Sequence, residues 1–513
     1  MRGESRTIPL AAEVSRALRT SRRLSDGAVY LVGGALRDAL LGRPFSDLDL
    51  AAERPLALAR RLARAIGRKL VVLDENERVY RVILSGNGAL KQIDVAGFKG
   101  ATIIEDLKRR DFTVNALAWP IPGAPGRSIP KGQLLDPRGG LRDLKARRLR
   151  CESASLFRED PLRILRAFRL AGELAFSIEP ATFSRLKSCR HLAAKPAGER
   201  IRSELVALLN ASGAAKIARR MDEARVLTAV FKELEPQRHC AKSYYGPGGV
   251  LTHSLEVVSR LEFLLSHLRE AFPRRWREIH EFLNAGAGQA SSRRALLLLS
   301  ALVHDIAKPK TAKMIGGRLR FFGHDRVGAR MAKGLLERLR FSREESKRVA
   351  AIVLHHLRPG NLAASGQVTE RASYRFFRDV GEPAIDLLLV CWADHASYLP
   401  EAAVARALKK GGFGRFLAEG PGEAPERKTF WHLAVVSELI ERSCQPERAR
   451  APRLLDGNDV MKILGIAPGP EVGRWLEKLA EAQALGRIAT RMDAAAFLAR
   501  EKKKLERPRG RKA

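Results

Sequence analysis

The sequence predicts an α+β fold, in which a small N-terminal α/β head with a short mixed sheet precedes an elongated, mostly α-helical body. Runs typical of short strands occur only in the first 150 residues or so: VYLVGG, SDLDLA, KLVVL, YRVIL and QIDVAG. Helical stretches such as Pro55–Ile66 separate some of them. Further along, apolar residues recur every three or four positions over long stretches such as LFREDPLRILRAFRLAGEL, as amphipathic helices require.

Segments rich in glycine and proline indicate where the domains end. They lie at residues 120–133, 244–249, 284–292 and 419–427. Because a chain of 513 residues exceeds the usual size of one domain, several domains are expected. The predicted organisation is an N-terminal extension (1–27), the head (28–150), a helical neck (151–243), a histidine-containing helical domain (244–425), a C-terminal helical segment (426–500) and a basic, partly disordered tail (501–513).

The charge balance favours a polyanionic partner. The chain has 93 Lys and Arg residues against 57 Asp and Glu, a formal net charge of +36. Nucleic acid is the preferred partner, and a membrane surface is the alternative. No apolar run is long enough to span a membrane, and the N-terminus lacks the apolar core of a signal peptide. Five scattered cysteines without a CxxC pair indicate free thiols, so a cytoplasmic location is expected. The oligomeric state stays open.

A pair of aspartates in SDLDLA is the first candidate site. Asp47 and Asp49 are two residues apart, so on a strand both side chains point to the same face. Two neighbouring carboxylates repel each other and favour a divalent cation. With Mg²⁺ they can activate a hydroxyl and hold a triphosphate, and Asp94 in QIDVAG is the candidate for a third carboxylate.

A strand that runs into Gly33-Gly34 precedes this pair. Backbone N–H groups at the start of the following helix can bind phosphate, and glycine permits close approach. Arg37 lies one turn into that helix. Taken singly, a Gly-Gly pair after a strand is usually a turn and an Asp-x-Asp pair is usually a solvated edge. Their order along the chain favours a catalytic site.

The segment RRDFTVNALA offers further groups for a nucleotide. Arg110 can bind phosphate, and Asp111 and Asn115 can bind ribose hydroxyls. The alternative interpretation is a helix that Asp111 caps at its N-terminus, and both can hold together.

In FREDPLRILRAFR, Pro161 fits the first turn of a helix, which places Asp160 and Arg163 one turn apart. The pair presents an acceptor beside a donor. Cytosine and adenine each present an amino donor beside a ring-nitrogen acceptor, whereas guanine and uracil present the reverse order. A protein side-chain pair can therefore select C and A without a nucleic-acid template. The commoner alternative is an intrahelical salt bridge.

Together these segments resemble the class II tRNA nucleotidyltransferases, the CCA-adding enzymes and their bacterial poly(A) polymerase relatives. The resemblance rests on LVGGALRDALLGRPFSDLDL, RRDFTVNALA, DPRGGLRDLKARRLR, EDPLRILRAFR and GERIRSEL, in that order, over roughly residues 28–240. It implies an enzyme that adds C and A from CTP and ATP to the 3′ end of tRNA. It further implies that Asp47 and Asp49 bind Mg²⁺, and that Asp160 and Arg163, with Arg166 beside them, bind the base.

Two other features bear on the substrate. The segment LLDGNDVMKILGIAPGPEVGRWLEKLAEAQALGRI resembles the part of CCA-adding enzymes that contacts tRNA, which poly(A) polymerases typically lack. Only residues 99–108 lie between the IDVAGF strand and RRDFT, where enzymes that complete the CCA end usually carry a longer loop. A CC-adding enzyme is therefore the alternative, and a poly(A) polymerase or a metal-dependent phosphohydrolase with an RNA-docking head are further ones.

Histidines and aspartates recur in the helical region after residue 244. In order they are His253, His304, Asp305, His324, His355, His356 and Asp394. The order resembles the HD phosphohydrolase superfamily, which is known as an appended domain in some CCA-adding enzymes. Imidazole and carboxylate ligands suit Zn²⁺, Mn²⁺, Ni²⁺ or Fe²⁺, which can activate water for phosphoester hydrolysis.

The resemblance to HD proteins divides these residues into two groups. It implies a metal bound by His253, His304, Asp305 and Asp394. His324 and His355, or its neighbour His356, would hold a second ion or a substrate phosphate. The alternative is a degenerate HD fold that serves as an RNA-binding helical body. The remaining histidines are interpreted as structural or surface residues: His191, His239, His267, His280, His395 and His432.

Overall fold

A computed structural model describes residues 7–84, 88–285, 291–364, 368–420, 422–443 and 452–506. It confirms the predicted α+β architecture, with a mixed sheet near the N-terminus and helices after it. Cys444, residues 286–290 of one predicted break and residues 507–513 of the predicted tail lie outside the described residues. No helix of the described ranges is long and apolar enough to cross a membrane.

The head contains a six-stranded mixed sheet. Its strands are β2 (Val29–Val32), β3 (Asp47–Ala52), β4 (Leu70–Asp74), β5 (Val79–Ile83), β6 (Gln92–Gly97) and β7 (Ala118–Pro120). Their order across the sheet is β4-β5-β6-β3-β2-β7, and only the central pair, β3 and β6, is parallel. The first five coincide with the five predicted strand runs.

Helices cover the sheet as the apolar periodicity predicts. The helix Pro55–Ile66 begins with a proline, and Gly67 ends it at a φ of 68°. Leu58, Ala59 and Leu62, spaced three or four residues apart, are buried. The other helices of the head are Ala12–Arg23, Gly33–Leu40, Ile103–Lys108 and Gly140–Lys145, with 3₁₀ turns at Thr113–Asn115 and Lys131–Gln133.

Three short strands of the head have no clear signal in the sequence. β1 (Thr7–Pro9) pairs antiparallel with β8 (Ser128–Pro130), inside a segment predicted as a Gly- and Pro-rich break. β7 is equally short, and its proline hides it in the sequence. A helix capped by Asp111 is the wrong prediction for DFTVN, because the segment forms a single 3₁₀ turn preceded by Phe112.

The described chain divides into two compact units. The first comprises residues 1–212 and 220–230, and the second comprises 213–219 and 231–513. After the head, the elements up to residue 239 are β9 (Arg148–Leu149), β10 (Ser177–Ile178) and the helices Ser155–Glu159, Leu162–Leu174, Pro180–Ser188, Arg190–Leu192, Gly198–Asn210, Ala214–Glu223, Val226–Val230 and Lys232–His239.

The rest of the second unit is helical apart from a short hairpin of β11 (Lys313–Ile315) and β12 (Arg318–Arg320). Its helices are Lys242–Tyr245, Gly249–Ser266, Leu268–Ala271, Trp276–Asn284, Arg293–Val303, Lys308–Thr311, His324–Arg338, Arg343–His355, Leu357–Ala364, Glu370–Val380, Ala384–Ala396, Glu401–Lys409, Arg415–Glu419, Pro425–Ser443, Gly457–Leu464, Pro470–Ala484 and Arg491–Glu506.

The C-terminal helices pack around a cluster that includes Val460, Leu464, Trp475 and Leu498. The last helix continues to Glu506, so the predicted boundary at residue 501 falls within a helix.

Candidate functional site

Three carboxylates meet at the centre of the head sheet. Asp47 and Asp49 begin β3, with Leu48 between them buried in the core. β6 runs parallel to β3, and its Asp94 lies directly opposite Asp49 in the register. Because alternate side chains of a strand share a face, all three carboxylates lie on the same side of the sheet. The structure thus brings together the three predicted catalytic residues.

The turn at Gly33 packs against Asp49. The Asp49 carboxylate accepts a hydrogen bond from the backbone N–H of Ala35, at 3.2 Å. Gly33 has a φ of 66°, and a Cβ added there would lie 3.0 Å from Asp49 Oδ2 and 3.3 Å from Arg110 Nη1. Only glycine fits this position, so the predicted close approach at Gly33-Gly34 is to the Asp49 carboxylate.

The electrostatics of this cluster favour a cation. Burial, with the neighbouring Asp94 and Asp47, raises the pKa of Asp49 to about 6, although the Ala35 N–H and Arg110 oppose the shift. A divalent ion would remove this repulsion, and a donor set made only of carboxylate oxygens fits Mg²⁺.

Arg81 is a site residue that sequence analysis missed. It lies on β5 opposite Asp94, and its Nε and Nη2 donate to the two Asp94 oxygens at 2.8 and 2.7 Å. Asp94, predicted as a third catalytic carboxylate, is therefore held in a bidentate ion pair. The signal that could have revealed Arg81 is its position on β5, across from Asp94 and two strands away from the Asp-x-Asp pair on β3.

Three of the predicted nucleotide ligands, Arg37, Asp111 and Asn115, form one hydrogen-bonded chain with Arg166. Arg37 Nη1 donates to Asn115 Oδ1 at 2.8 Å, and the Asn115 amide donates to Asp111 at 3.1 Å. Arg166 donates to the other Asp111 oxygen at 3.3 Å. Burial alone would raise the pKa of Asp111, but Arg166 and Asn115 hold it below its ordinary value. An anionic Asp111 is a ready acceptor for a hydroxyl.

The proposed base template is not an intrahelical salt bridge. Within the described chain, Asp160 pairs with Arg200, whose Nη2 lies 3.2 Å from Asp160 Oδ2. Arg163 instead donates to the Leu156 carbonyl at 3.1 Å, with Glu159 3.6 Å away. Arg200 belongs to GERIRSEL, the segment that the family resemblance assigns to support of the template.

A second cluster lies in the other unit and consists of two trios of ligands. His253, His304 and Asp394 form one, and Asp305, His324 and His356 form the other. In each, the potential ligand atoms lie within 4.8 Å of one another. In the first, His253 Nε2 is 3.2 Å from Asp394 Oδ1.

Asp305 links the two trios. Its Oδ2 lies 3.2 Å from His304 Nε2, on the side of the first trio. Its Oδ1 lies 3.5 Å from His324 Nε2 and 3.7 Å from His356 Nε2, on the side of the second. Because one Asp305 oxygen faces each trio, Asp305 would supply a carboxylate ligand to a metal held by either.

The histidine rings are oriented for metal binding. The Nδ1 atoms of His304, His324 and His356 each lie 2.7–2.8 Å from the backbone carbonyl three residues earlier. A proton on Nδ1 donated to that carbonyl leaves the Nε2 lone pair free for a metal. Among the described residues, five buried atoms of the cluster have no hydrogen-bond partner: His253 Nε2, His304 Nε2, Asp305 Oδ1, Asp305 Oδ2 and Asp394 Oδ1. These donors fit a transition metal.

Three family descriptions match the sequence. They are "Poly A polymerase head domain" over residues 29–150, "Probable RNA and SrmB- binding site of polymerase A" over 175–238 and "HD domain" over 250–399. The chain is 34% identical over 480 residues to an A-adding tRNA nucleotidyltransferase of Deinococcus radiodurans, which covers 92% of this chain and 94% of that protein. It belongs to the tRNA nucleotidyltransferases.

Other members of this family are similar over nearly the same length. A CC-adding tRNA nucleotidyltransferase of Thermus thermophilus is 32% identical over 91% of this chain and 92% of its own. A Thermotoga maritima CCA-adding enzyme complexed with tRNA has the same fold, with a TM-score of 0.59 and 21% identity over 96% and 97% of the chains. The prediction of a tRNA nucleotidyltransferase with an HD domain is confirmed, and both domains belong to classes that depend on divalent metals.

Of the two adjacent histidines predicted beside His324 in this tRNA nucleotidyltransferase, only one joins the described cluster. His356 lies in it, and His355 lies outside it. Neighbouring residues of an α-helix point about 100° apart, so only one of two adjacent histidines can face a given site. His355 is half-buried and faces the charged groups Arg358, Asp379 and Asp325, and burial and Arg358 lower its pKa.

Sequence analysis also missed groups that support the HD cluster. Lys308 Nζ lies 2.5 Å from Asp305 Oδ2 and donates to the Tyr245 hydroxyl at 2.7 Å. Tyr245 stacks on His253 with ring centroids 4.8 Å apart. Behind the cluster, the Cys391 thiol donates to the His356 carbonyl at 3.1 Å. The HD-x-x-K spacing was the available signal for Lys308.

Proposed function

We propose that this tRNA nucleotidyltransferase adds C residues from CTP to the 3′ end of tRNA and stops before the terminal A. In this reaction the tRNA 3′-hydroxyl oxygen forms a bond to the α-phosphorus of CTP and loses its proton to water. The bond from that phosphorus to the β-phosphate oxygen breaks, and pyrophosphate leaves. Mg²⁺ held by Asp47 and Asp49 would activate the hydroxyl and offset the charge of the triphosphate.

Each group of the head has a role in this reaction. The Gly33-Gly34 turn brings the triphosphate close to Asp49, with Arg110 beside it. The Asp111–Asn115 pair, positioned by Arg37 and Arg166, accepts the ribose hydroxyls. Asp160 and Arg163 present an acceptor and a donor to the base edge, a pattern that suits C and A.

The segment between β6 and the 3₁₀ turn carries the proposal of CC addition. Residues 99–108 are only long enough for a turn and the helix Ile103–Lys108. Thr102 caps the helix by accepting from the Glu105 N–H, and Asp106 accepts from the Lys99 N–H at 3.1 Å. A short segment held by its own hydrogen bonds leaves no long loop of the kind that completion of the CCA end uses.

Addition of A alone is the second candidate, because the relative with 34% identity is an A-adding enzyme. Complete CCA addition by one chain is the third. Two substrates separate them: a tRNA that lacks its whole CCA end and a tRNA that already ends in CC.

In this test, each tRNA is incubated with Mg²⁺ and with labelled CTP, labelled ATP or both. We expect incorporation of C into the first tRNA and of neither nucleotide into the second. Incorporation of A into the CC-ended tRNA alone would establish A addition, whereas C followed by A in the first would establish CCA addition. Long A tails would identify a poly(A) polymerase. Asp49→Ala serves as the inactive control and should bind tRNA nearly normally.

We also propose that the HD cluster binds Mn²⁺, Ni²⁺, Zn²⁺ or Fe²⁺ and hydrolyses phosphoesters. In the cluster, the ligand atoms of each trio lie within 4.8 Å of one another, and several of the buried Nε2 and Oδ atoms have no hydrogen-bond partner among the described residues. A metal there would supply an activated water, and Lys308 is positioned to bind a phosphate oxygen. The cysteines that the structure describes are free thiols, which is consistent with a protein that acts in the cytoplasm, where tRNA resides.

Metal analysis and a hydrolysis assay test this second proposal. The purified chain should retain transition metal after desalting and hydrolyse p-nitrophenyl phosphate or 2′,3′-cyclic nucleotides. His304→Ala should lose both, and His280→Ala, which removes an exposed histidine of the same unit, should lose neither. A wild-type chain that binds no transition metal would identify the HD region as a helical RNA-binding body.

A further inference from the structure

A small β-hairpin projects from the HD domain. β11 pairs with β12 so that Met314 lies opposite Leu319, and Gly316 and Gly317 connect the strands at φ values of 55° and 71°. Two consecutive positive φ angles define a tight two-residue turn that glycine accommodates readily. Leu319 is the one residue of the two strands that is partly buried, so nearly the whole hairpin faces solvent.

The hairpin and its surroundings are strongly basic. Between Asp305 and Asp325 the chain has five Lys and Arg residues and no acidic residue. Lys308 forms an ion pair with Asp305, but the other four basic side chains are exposed. Within the ranges that the structure covers, these four form no ion pair; they are Lys310, Lys313, Arg318 and Arg320. Four cations without counter-charges favour a polyanion.

Large exposed side chains accompany these cations: Met314 and Phe322 lie within the same segment, and Tyr244 lies in the helix Lys242–Tyr245. Met314 is 66% exposed, Phe322 75% and Tyr244 77%. Large apolar side chains that are exposed close together are typical of a binding surface. Aromatic faces among unpaired cations are the combination that binds single-stranded nucleic acid, because bases stack on rings while lysine and arginine contact phosphates. A lipid surface or a protein would not require stacking faces.

The basic, aromatic surface is directly connected to the HD cluster. Tyr244 lies against Tyr245, with ring centroids 5.1 Å apart, and the Tyr245 hydroxyl accepts from Lys308. Phe321, the neighbour of Phe322, has its ring 5.6 Å from Lys308 Nζ, and its carbonyl is the partner of the His324 ring. Both exposed aromatics are therefore one residue away from groups that contact the metal ligands.

We propose that the hairpin patch, consisting of Tyr244, Lys313, Met314, Arg318, Arg320 and Phe322, binds single-stranded RNA and presents its terminal phosphate to the HD cluster. Bases stack on Tyr244 and Phe322, the arginines contact the backbone, and the terminal phosphate reaches Lys308. The substrate of the HD site is thus an RNA end rather than a free mononucleotide. This inference rests on the proposed hydrolase for its chemistry but not for the binding of RNA.

Photo-crosslinking tests the binding directly. The full chain is irradiated with a short single-stranded RNA that carries 4-thiouridine near a 3′-terminal phosphate, and the crosslinked peptides are mapped by mass spectrometry. We expect crosslinks at Tyr244 and within residues 313–322, weakened by salt. Phe322→Ala should lower the yield about tenfold, and Arg318→Glu/Arg320→Glu should abolish it. Crosslinks confined to other parts of the chain would overturn the proposal.

Matched controls exclude general effects of charge and exposure. Lys409→Glu/Lys410→Glu makes the same charge change at two exposed positions where the helix Glu401–Lys409 ends, and Met492→Ala removes an apolar side chain that is 82% exposed. Neither should change the crosslinks. If the hairpin variants instead lost binding to phosphatidylserine vesicles and kept their crosslinks, the patch would be a lipid surface and the proposal would be wrong.

Hydrolysis separates this inference from the proposed hydrolase. Phe322→Ala and Arg318→Glu/Arg320→Glu should raise KM for the RNA 3′-phosphate about tenfold or more and leave hydrolysis of p-nitrophenyl phosphate unchanged. An equal effect on both substrates would contradict RNA binding by the patch. If the wild-type chain hydrolyses neither substrate yet forms the crosslinks, the proposed hydrolase fails and the RNA-binding patch stands.

Discussion

At the scale of single residues, the head site depends on groups that hold the carboxylates in place. Arg81 neutralises Asp94 through two hydrogen bonds. Asp94 lies next to Asp47 and Asp49, whose carboxylates repel each other. Without this arginine, Asp94 would add its full charge to that of Asp47 and Asp49. The cluster would bind cations more strongly but in a less defined geometry.

Arg81→Ala should therefore slow CTP incorporation about tenfold, since a bidentate charged pair contributes about 1.5–3 kcal/mol. The Mg²⁺ concentration for half-maximal rate should fall, and Arg81→Lys should restore part of the rate. Incorporation assays over a range of Mg²⁺ concentrations measure both. Arg61→Ala, which removes an exposed ion pair with Asp26, is the control. An unchanged Mg²⁺ dependence together with a lower melting temperature would mean that Arg81 is only structural.

Gly33 and Gly67 form a natural pair for a second test. Both have positive φ angles, but an added Cβ meets Asp49 and Arg110 at Gly33 and nothing within 4 Å at Gly67. Both Gly→Ala variants should lose about 1–2 kcal/mol of unfolding free energy from backbone strain. Only Gly33→Ala should lose nucleotidyl transfer, by about 10- to 100-fold, because it displaces Asp49. Equal activity of the two variants would refute the close-approach argument.

At the scale of elements, the sequence predicts what periodicity and turn residues determine. Pro55 and Gly67 bracket a helix with a clear apolar stripe, and its predicted bounds are those observed. β7, β8 and the hairpin strands have three residues each, too few for alternation to be visible. β7 and β8 pair with strands that are distant in the sequence, as when β1 pairs with β8.

The helix Ile103–Lys108 gives a prediction at this scale. Thr102→Ala removes the side-chain cap and should lower the unfolding free energy of the head by about 1 kcal/mol, whereas Thr102→Ser should not. Urea unfolding followed by circular dichroism measures the difference. Equal losses in both variants would show that the methyl group, and not the hydroxyl, stabilises this segment.

The same reasoning explains which site residues could be predicted. Asp47, Asp49 and Gly33 are local in the sequence and follow from a strand and a turn. Arg81 was missed because its role depends on cross-strand register, which sequence spacing leaves open. The HD-x-x-K spacing places Lys308 near Asp305 along the chain, but only packing brings its Nζ to the carboxylate. The choice between His355 and His356 depends on the rotation of one helix, which was equally undetermined.

At the scale of the whole molecule, each of the two sites is built from residues of one compact unit. The head carboxylates and their ligands all precede residue 212, and the HD ligands all follow residue 231. The described side chains named for each site come from a single unit, so the two chemistries should be separable.

We therefore expect His304→Ala to abolish phosphoester hydrolysis and leave CTP incorporation within about twofold of wild type. Asp49→Ala should have the opposite effect, and the double variant should show the sum of both losses. Steady-state assays of the two activities on the same preparations provide the measurement. A loss of CTP incorporation in His304→Ala at normal stability would show that the two sites are coupled.

The position of Cys391 has a practical consequence. Its thiol is buried, donates to the carbonyl of His356 and lies on the helix that also carries Asp394. An alkylating reagent can therefore reach it only when the helices that carry the metal ligands separate. The rate of alkylation of Cys391 reports how often the HD core opens, and an ion that clamps those helices together should slow it. A buried cysteine thus supplies an intrinsic probe of metal occupancy that requires no engineered label.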